Sequence, residues 1–111
     1  MRLPSTWYVA VSPIDLRCGV DRLLVWVQQT HGAVSGSAGY VFRNRSGSRI
    51  KLLLIDATGV WLCMRRLHAG HFHWPRTNAA VCALSPAQFD WLCAGVEWMR
   101  LSESQVPTHA F

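Results

Sequence analysis

Arg43, Arg45, Arg49 and Lys51 place two cations on each side of the turn Ser46-Gly47-Ser48. Arginine grips phosphate as a planar fork, and lysine presents a point charge. A β-ribbon carrying such residues can follow a nucleic-acid backbone or enter a major groove. The competing reading is a solvated sheet face whose charge discourages edge pairing. Arg66, on a later strand, extends the basic strip. Aromatic residues do not alternate with these cations on one face, so phosphate contact is better supported than base stacking.

Two other groups of residues invite chemistry. His68, His71 and His73 form a short cluster, and on a strand His71 and His73 share a face and can both ligate zinc. No second cysteine or carboxylate pair completes the set in sequence, so solvated histidines are the favoured reading and no metal is expected. Asp15, Asp21, Asp56 and Asp90 are the raw material of a metal-binding acidic triad. Local roles suit them better. Asp56 opens a tight turn and can accept backbone N–H bonds. Asp90 sits in the first turns of a helix. Asp15 is placed to cap a helix or pair with Arg17. No G-x-S-x-G, Walker A or G-x-G-x-x-G motif is present. The chain therefore reads as a binding protein with no catalytic residues and no cofactor.

These residues must be carried by a small number of elements. Trp7–Val11 is β-rich and ends at Ser12-Pro13. Gly19–Thr30 reads as a helix, with Val20, Leu23, Leu24 and Val27 on one stripe. Ala33–Gly39 is a Gly/Ser-rich loop. Between Tyr40 and Trp74, turns at 46–48, 56–59 and 67–70 divide the chain into four short strands of an antiparallel meander. If those loops are correct, Tyr40, Phe42, Ile50, Leu52, Leu54, Trp61, Cys63, Phe72 and Trp74 share an apolar face. The opposite face then carries Arg43, Arg45, Arg49, Lys51, Arg66, His71 and His73, followed by an apolar end of Val41, Leu53, Ile55, Leu62 and Met64. That apolar end is the candidate protein-docking surface, and would also serve a homodimer. Ser85 is the N-cap of a second helix, with Pro86 at its first position, Gln88 completing a capping box and Leu84 stapled to Phe89. Trp26 and Trp98 are further candidates for a partner surface, although packing between elements is the favoured role for both.

The expected fold is α+β: an antiparallel four- to five-stranded meander with helices packed on one face. A single domain spans 1–101, and 102–111 is a frayed tail. The 111 residues are half apolar or aromatic, enough for one modest core. Net charge is +5, and ten of the eleven cations are arginine, which favours an anionic partner. The four cysteines form no C-x-x-C pair and read as small, reduced, buried residues. No apolar run reaches membrane-span length, so the cytoplasm is the expected compartment.

The stretches YVFRNRSGSRIKLLLID, ATGVWLCMRRLHAGHFHWP and LSPAQFDWLCAGVEW, preceded by the Asp-x-Arg-x-Gly start at Asp15, Arg17 and Gly19, resemble the TnpB-type accessory protein of insertion-sequence family sixty-six. The resemblance runs from about Trp7 to Trp98. It implies a protein that assists transposition beside a separate transposase, which carries the strand-cleaving chemistry. Expected partners are that transposase and transposon DNA; a protein-only adaptor is the alternative. Two departures reduce the usual pattern: Leu54-Ile55 replaces a tryptophan pair before Asp56, and His68-Ala69-Gly70-His71 replaces a charged turn.

Overall fold

The computed structural model describes residues 3–32 and 37–101. The expected tail at 102–111, and residues 33–36 of the expected loop, lie outside the described residues. The α+β class is as expected. The strands are β1 (Trp7–Ala10), β2 (Ala38–Arg43), β3 (Arg49–Ile55), β4 (Val60–Arg66) and β5 (Val81–Leu84). The helices are α1 (Val20–His31) and α2 (Pro86–Cys93), followed by a short 3-10 turn at Trp98–Arg100.

The five strands form one sheet in the order β4-β3-β2-β1-β5. β2, β3 and β4 are the expected antiparallel meander. β1 runs parallel to β2, which makes α1 the crossover helix between them, and β5 closes antiparallel on β1. The expected fourth strand at 71–74 is not one. Phe72 N–H donates to Gly47 O at 2.8 Å, which holds this segment beside the β2–β3 turn, where Phe72 and Trp74 enter the core. β5 takes the sheet edge beyond β1, a strand not among those expected from the sequence.

The helices cover opposite faces of the sheet, a correction to the expected single covered face. Leu23 and Val27 of α1 pack with Tyr40, Phe42 and Leu53. Phe89, Trp91 and Leu92 of α2 pack with Trp7, Val9, Val41, Ile50 and Leu54. The physical reason lies in β2, where Tyr40, Val41 and Phe42 are all buried. A central strand buried on both sides carries no apolar–polar alternation from which to read a face.

The register of β3 on β4 is the expected one, with Ile55 opposite Val60 and Ile50 opposite Arg65. That of β2 on β3 is displaced by one residue. Asn44 N–H donates to Arg49 O, and Arg49 N–H donates to Asn44 Oδ1. Gly47, at φ +73°, donates its N–H to Asn44 O. The loop is therefore four residues long, Arg45 to Ser48, instead of three, and an odd shift turns every side chain of β2 over relative to β3.

Local signals in the second helix are realised in full. Ser85 Oγ accepts from Gln88 N–H and Gln88 Oε1 accepts from Ser85 N–H. At the other end Gly95 N–H donates to Leu92 O and Val96 N–H to Trp91 O, a Schellman closure with Gly95 at φ +79°. Replacing Ser85 by alanine is expected to cost about 1 kcal/mol, because the Gln88 N–H loses its acceptor. Urea denaturation of the two proteins measures it, and equal midpoints would refute the cap's contribution.

Candidate nucleic-acid interface

The basic ribbon face does not form. Phe42 stands opposite Lys51 and Arg43 opposite Ile50, so Arg43 and Lys51 project from opposite sides of the sheet. Lys51 is buried at 8% exposure, and its Nζ donates to Cys18 O at 3.1 Å. It anchors the chain entering α1. Arg43 is half-buried on the other face, its guanidinium 5.6 Å from the Trp74 ring centroid. Its Nη2 reaches Val11 O at 3.4 Å, while its buried Nε has no partner. Burial lowers the Arg43 pKa.

What the fold does bring together is a basic end of the sheet. Arg49 and Arg66 are direct cross-strand partners on one face, and both are exposed. Arg45 is exposed in the adjoining turn. Like charges directly opposite each other destabilise a sheet. The ion pairs among the described residues are Asp15–Arg17 and Glu97–Arg100, so no carboxylate there offsets the Arg49–Arg66 pair. On the other face of the same end, a cleft of about 860 Å³ is lined by Arg43, His71, His73, Arg76 and Arg100, with Glu97 already paired to Arg100. Sequence reading missed this cleft, because the chain from 71 to 82 was not expected to fold back against the β2–β3 turn.

The apolar docking set also divides. Val41 and Leu53 are fully buried on opposite faces, and Ile55 is half-buried. Leu62 and Met64 are exposed at 38% and 57%. Trp61, placed on the apolar face by parity, is 52% exposed on the edge strand of the sheet. Trp98 is core, donating its indole N–H to His73 O, and Trp26 packs edge-on against Phe42.

The acidic residues take local roles. Asp15 accepts two-pronged bonds from Arg17 and its pKa falls well below the usual carboxylate range; the Arg17 hydrogen bond is the main cause. Asp56 Oδ1 accepts from Thr58 N–H, Thr58 Oγ1–H and Gly59 N–H, and these bonds lower its pKa. The His71 and His73 rings lie 5.3 Å apart. Among the described residues, no three His, Cys, Asp or Glu side chains gather as a ligand set. No described helix is long and apolar enough to cross a membrane.

A small mixed sheet with a helix on each face, and a basic end that no ion pair among the described residues neutralises, defines a protein of the α+β class. The model of the family "IS66 Orf2 like protein" matches residues 5–103, and the chain belongs to this family of insertion-sequence accessory proteins. It is 36% identical over 103 residues to "Uncharacterized protein y4hO" of Sinorhizobium fredii (strain NBRC 101917 / NGR234), covering 91% of this chain and 89% of that protein. It is 29% identical over 99 residues to "Uncharacterized protein y4jC" of the same organism, covering 88% and 85%. No solved structure matches the chain.

Proposed function

We propose that the chain is a non-catalytic accessory subunit that assists transposition by holding transposon DNA at the basic end of its sheet, leaving strand chemistry to the transposase of the same element. The observation that carries this reading is the exposed Arg49–Arg66 pair, which no carboxylate among the described residues compensates. It costs the free protein repulsion, and a phosphate placed between the two guanidinium groups removes that cost. Arg45, exposed in the adjoining turn, adds a third contact. Arg43 and Lys51 leave the contact set and act within the fold.

Labelled transposon-end DNA titrated at several salt concentrations tests this. Wild type is expected to bind with a steep negative log–log salt slope. Arg49→Ala/Arg66→Ala is expected to lower that slope by about 0.9, since the pair shares one phosphate and each neutralised phosphate contributes about 0.9. Both side chains are exposed, so the fold should persist, and circular dichroism checks it. A double variant that binds DNA with wild-type affinity and slope would rule out this surface.

A further inference from the structure

β4 is an edge strand with an unusual composition. Val60, Trp61, Leu62 and Met64 are all more than a third exposed. Its seven residues pair with β3 without interruption, from Val60 opposite Ile55 to Arg66 opposite Arg49, with no proline and no bulge. Edges are normally blunted by charge, proline, bulges or shortness. The opposite edge, β5, is blunted in this way: it is four residues long and runs into Ser85-Pro86. On β4 only the last two residues, Arg65 and Arg66, are charged.

The hydrogen-bond phase of this edge is fixed. Asp56 N–H donates to Gly59 O at 3.0 Å. Alternation along an antiparallel ladder then turns the polar groups of Trp61, Cys63 and Arg65 toward β3. The N–H and C=O groups of Val60, Leu62, Met64 and Arg66 point outward from the sheet. An antiparallel neighbour must bond to those four.

A second copy of β4 meets this requirement when the two-fold axis passes through Cys63. Leu62 then bonds with Met64 of the second copy, and Val60 with Arg66, so all four outward positions are used. Centring on Leu62 or Met64 instead leaves Arg66 or Val60 outside the ladder. The Cys63-centred register also keeps like charges apart. Neither arginine meets an arginine: Arg65, whose Nε donates to Cys93 O of its own chain, stands across from Trp61, and Arg66 across from Val60. Leu62 meets Met64, which covers the exposed apolar surface of each.

We propose that the protein self-associates through β4, two copies pairing edge to edge and antiparallel about Cys63 into one continuous sheet. Seven-residue edges bury less than the ~1,600 Å² of a standard interface. The dimer is therefore reversible and concentration-dependent. Its axis stands perpendicular to the sheet, so the Arg49–Arg66 pairs of both copies lie on the same face. Along the strand direction the two Arg66 positions are separated by roughly 20 Å, six residues at about 3.4 Å each. Self-association does not depend on DNA binding.

Sedimentation of the reduced full-length protein over a concentration series provides the first test. Wild type is expected to show a monomer–dimer equilibrium. Leu62→Lys/Met64→Lys, altering exposed side chains, is expected to stay monomeric with an unchanged circular dichroism spectrum. Diamide provides the second test, accepting two electrons and two protons as two thiols become a disulfide. The Cys63 residues form a non-hydrogen-bonded pair with Cα atoms about 4.5 Å apart, within the range a disulfide spans. A covalent dimer mapping to a Cys63–Cys63 peptide is expected, and Cys63→Ser should abolish it. Burial raises the Cys82 pKa and pushes that of Cys93 up to about 12, so these thiols compete poorly. Three results would overturn the proposal: a monomer at sub-millimolar concentration, a dimer indifferent to the lysine pair, or a cross-link through Cys18 or Cys82. A monomer whose β4 captured an extended segment of transposase would also overturn it, by making the edge a heterologous interface.

Discussion

Gly39→Ala is expected to destabilise the protein by about 2–3 kcal/mol, and Gly39→Val by more, through overpacking of a close-packed core. Gly39 lies in β2 directly beside Trp7 of the parallel strand β1. A Cβ at this position would lie 2.5 Å from Trp7 Cε3, 2.7 Å from Trp7 Cζ3 and 2.8 Å from Pro4 Cγ. The indole cannot retreat, because its other side is stacked on Phe89 with centroids 3.7 Å apart and planes 2° from parallel. In an unstrained site, glycine to alanine usually stabilises by about 0.4–1 kcal/mol by restricting the unfolded chain. The clash outweighs that gain and sets the sign. Thermal and urea unfolding measure the effect. Trp7→Leu in the same chain should relieve part of it, so the double variant should lose less than the sum of the single losses. An alanine variant as stable as wild type would show that the indole has room to move.

The second large effect is expected at Trp74. Its ring is 7% exposed, packs in the core beneath α2 and donates its indole N–H to Ala10 O at 2.8 Å. Trp74→Ala is expected to cost about 3–5 kcal/mol in lost packing. A further ~1–3 kcal/mol follows if Ala10 O stays buried without a donor. Against a total stability on the order of 5–15 kcal/mol, this brings the domain close to unfolding. Trp74→Phe retains most of the ring and loses the donor, so about 1–3 kcal/mol is expected. Guanidinium denaturation followed by circular dichroism separates the two variants. Equal losses for alanine and phenylalanine would place the whole effect in the hydrogen bond and none in the packing.

Both predictions rest on the parallel β1–β2 seam and the irregular 71–74 segment, two features that strand patterning did not reach. Gly39 reads as the end of a mobile loop in sequence, yet it is an internal position of a central strand. Nothing in the local pattern distinguishes these roles, because the reason for a glycine there is a tryptophan thirty-two residues earlier. The candidate interface tells the same story. Arg49 and Arg66 were legible as members of a basic strip because the β3–β4 register follows from a tight turn whose first residue, Asp56, bonds to its own loop. Arg43 and Lys51 were assigned wrongly because one extra residue in the β2–β3 loop reverses the face, and both faces of β2 are apolar.

By itself the sequence determined what is enforced within a few residues: the helices, the capping box at Ser85, the turn at 56–59, and the net positive charge. These depend on local hydrogen bonds and periodicity, whose partners are neighbours in the chain. Its resemblance to a transposon accessory family depends on the ordered recurrence of such local pieces. Only the tertiary structure decided which strand is central, which lies at the edge, which cations are buried and which remain free. Those outcomes depend on segments distant in sequence competing for the same surfaces, and the competition is settled by how much apolar area each arrangement removes from water.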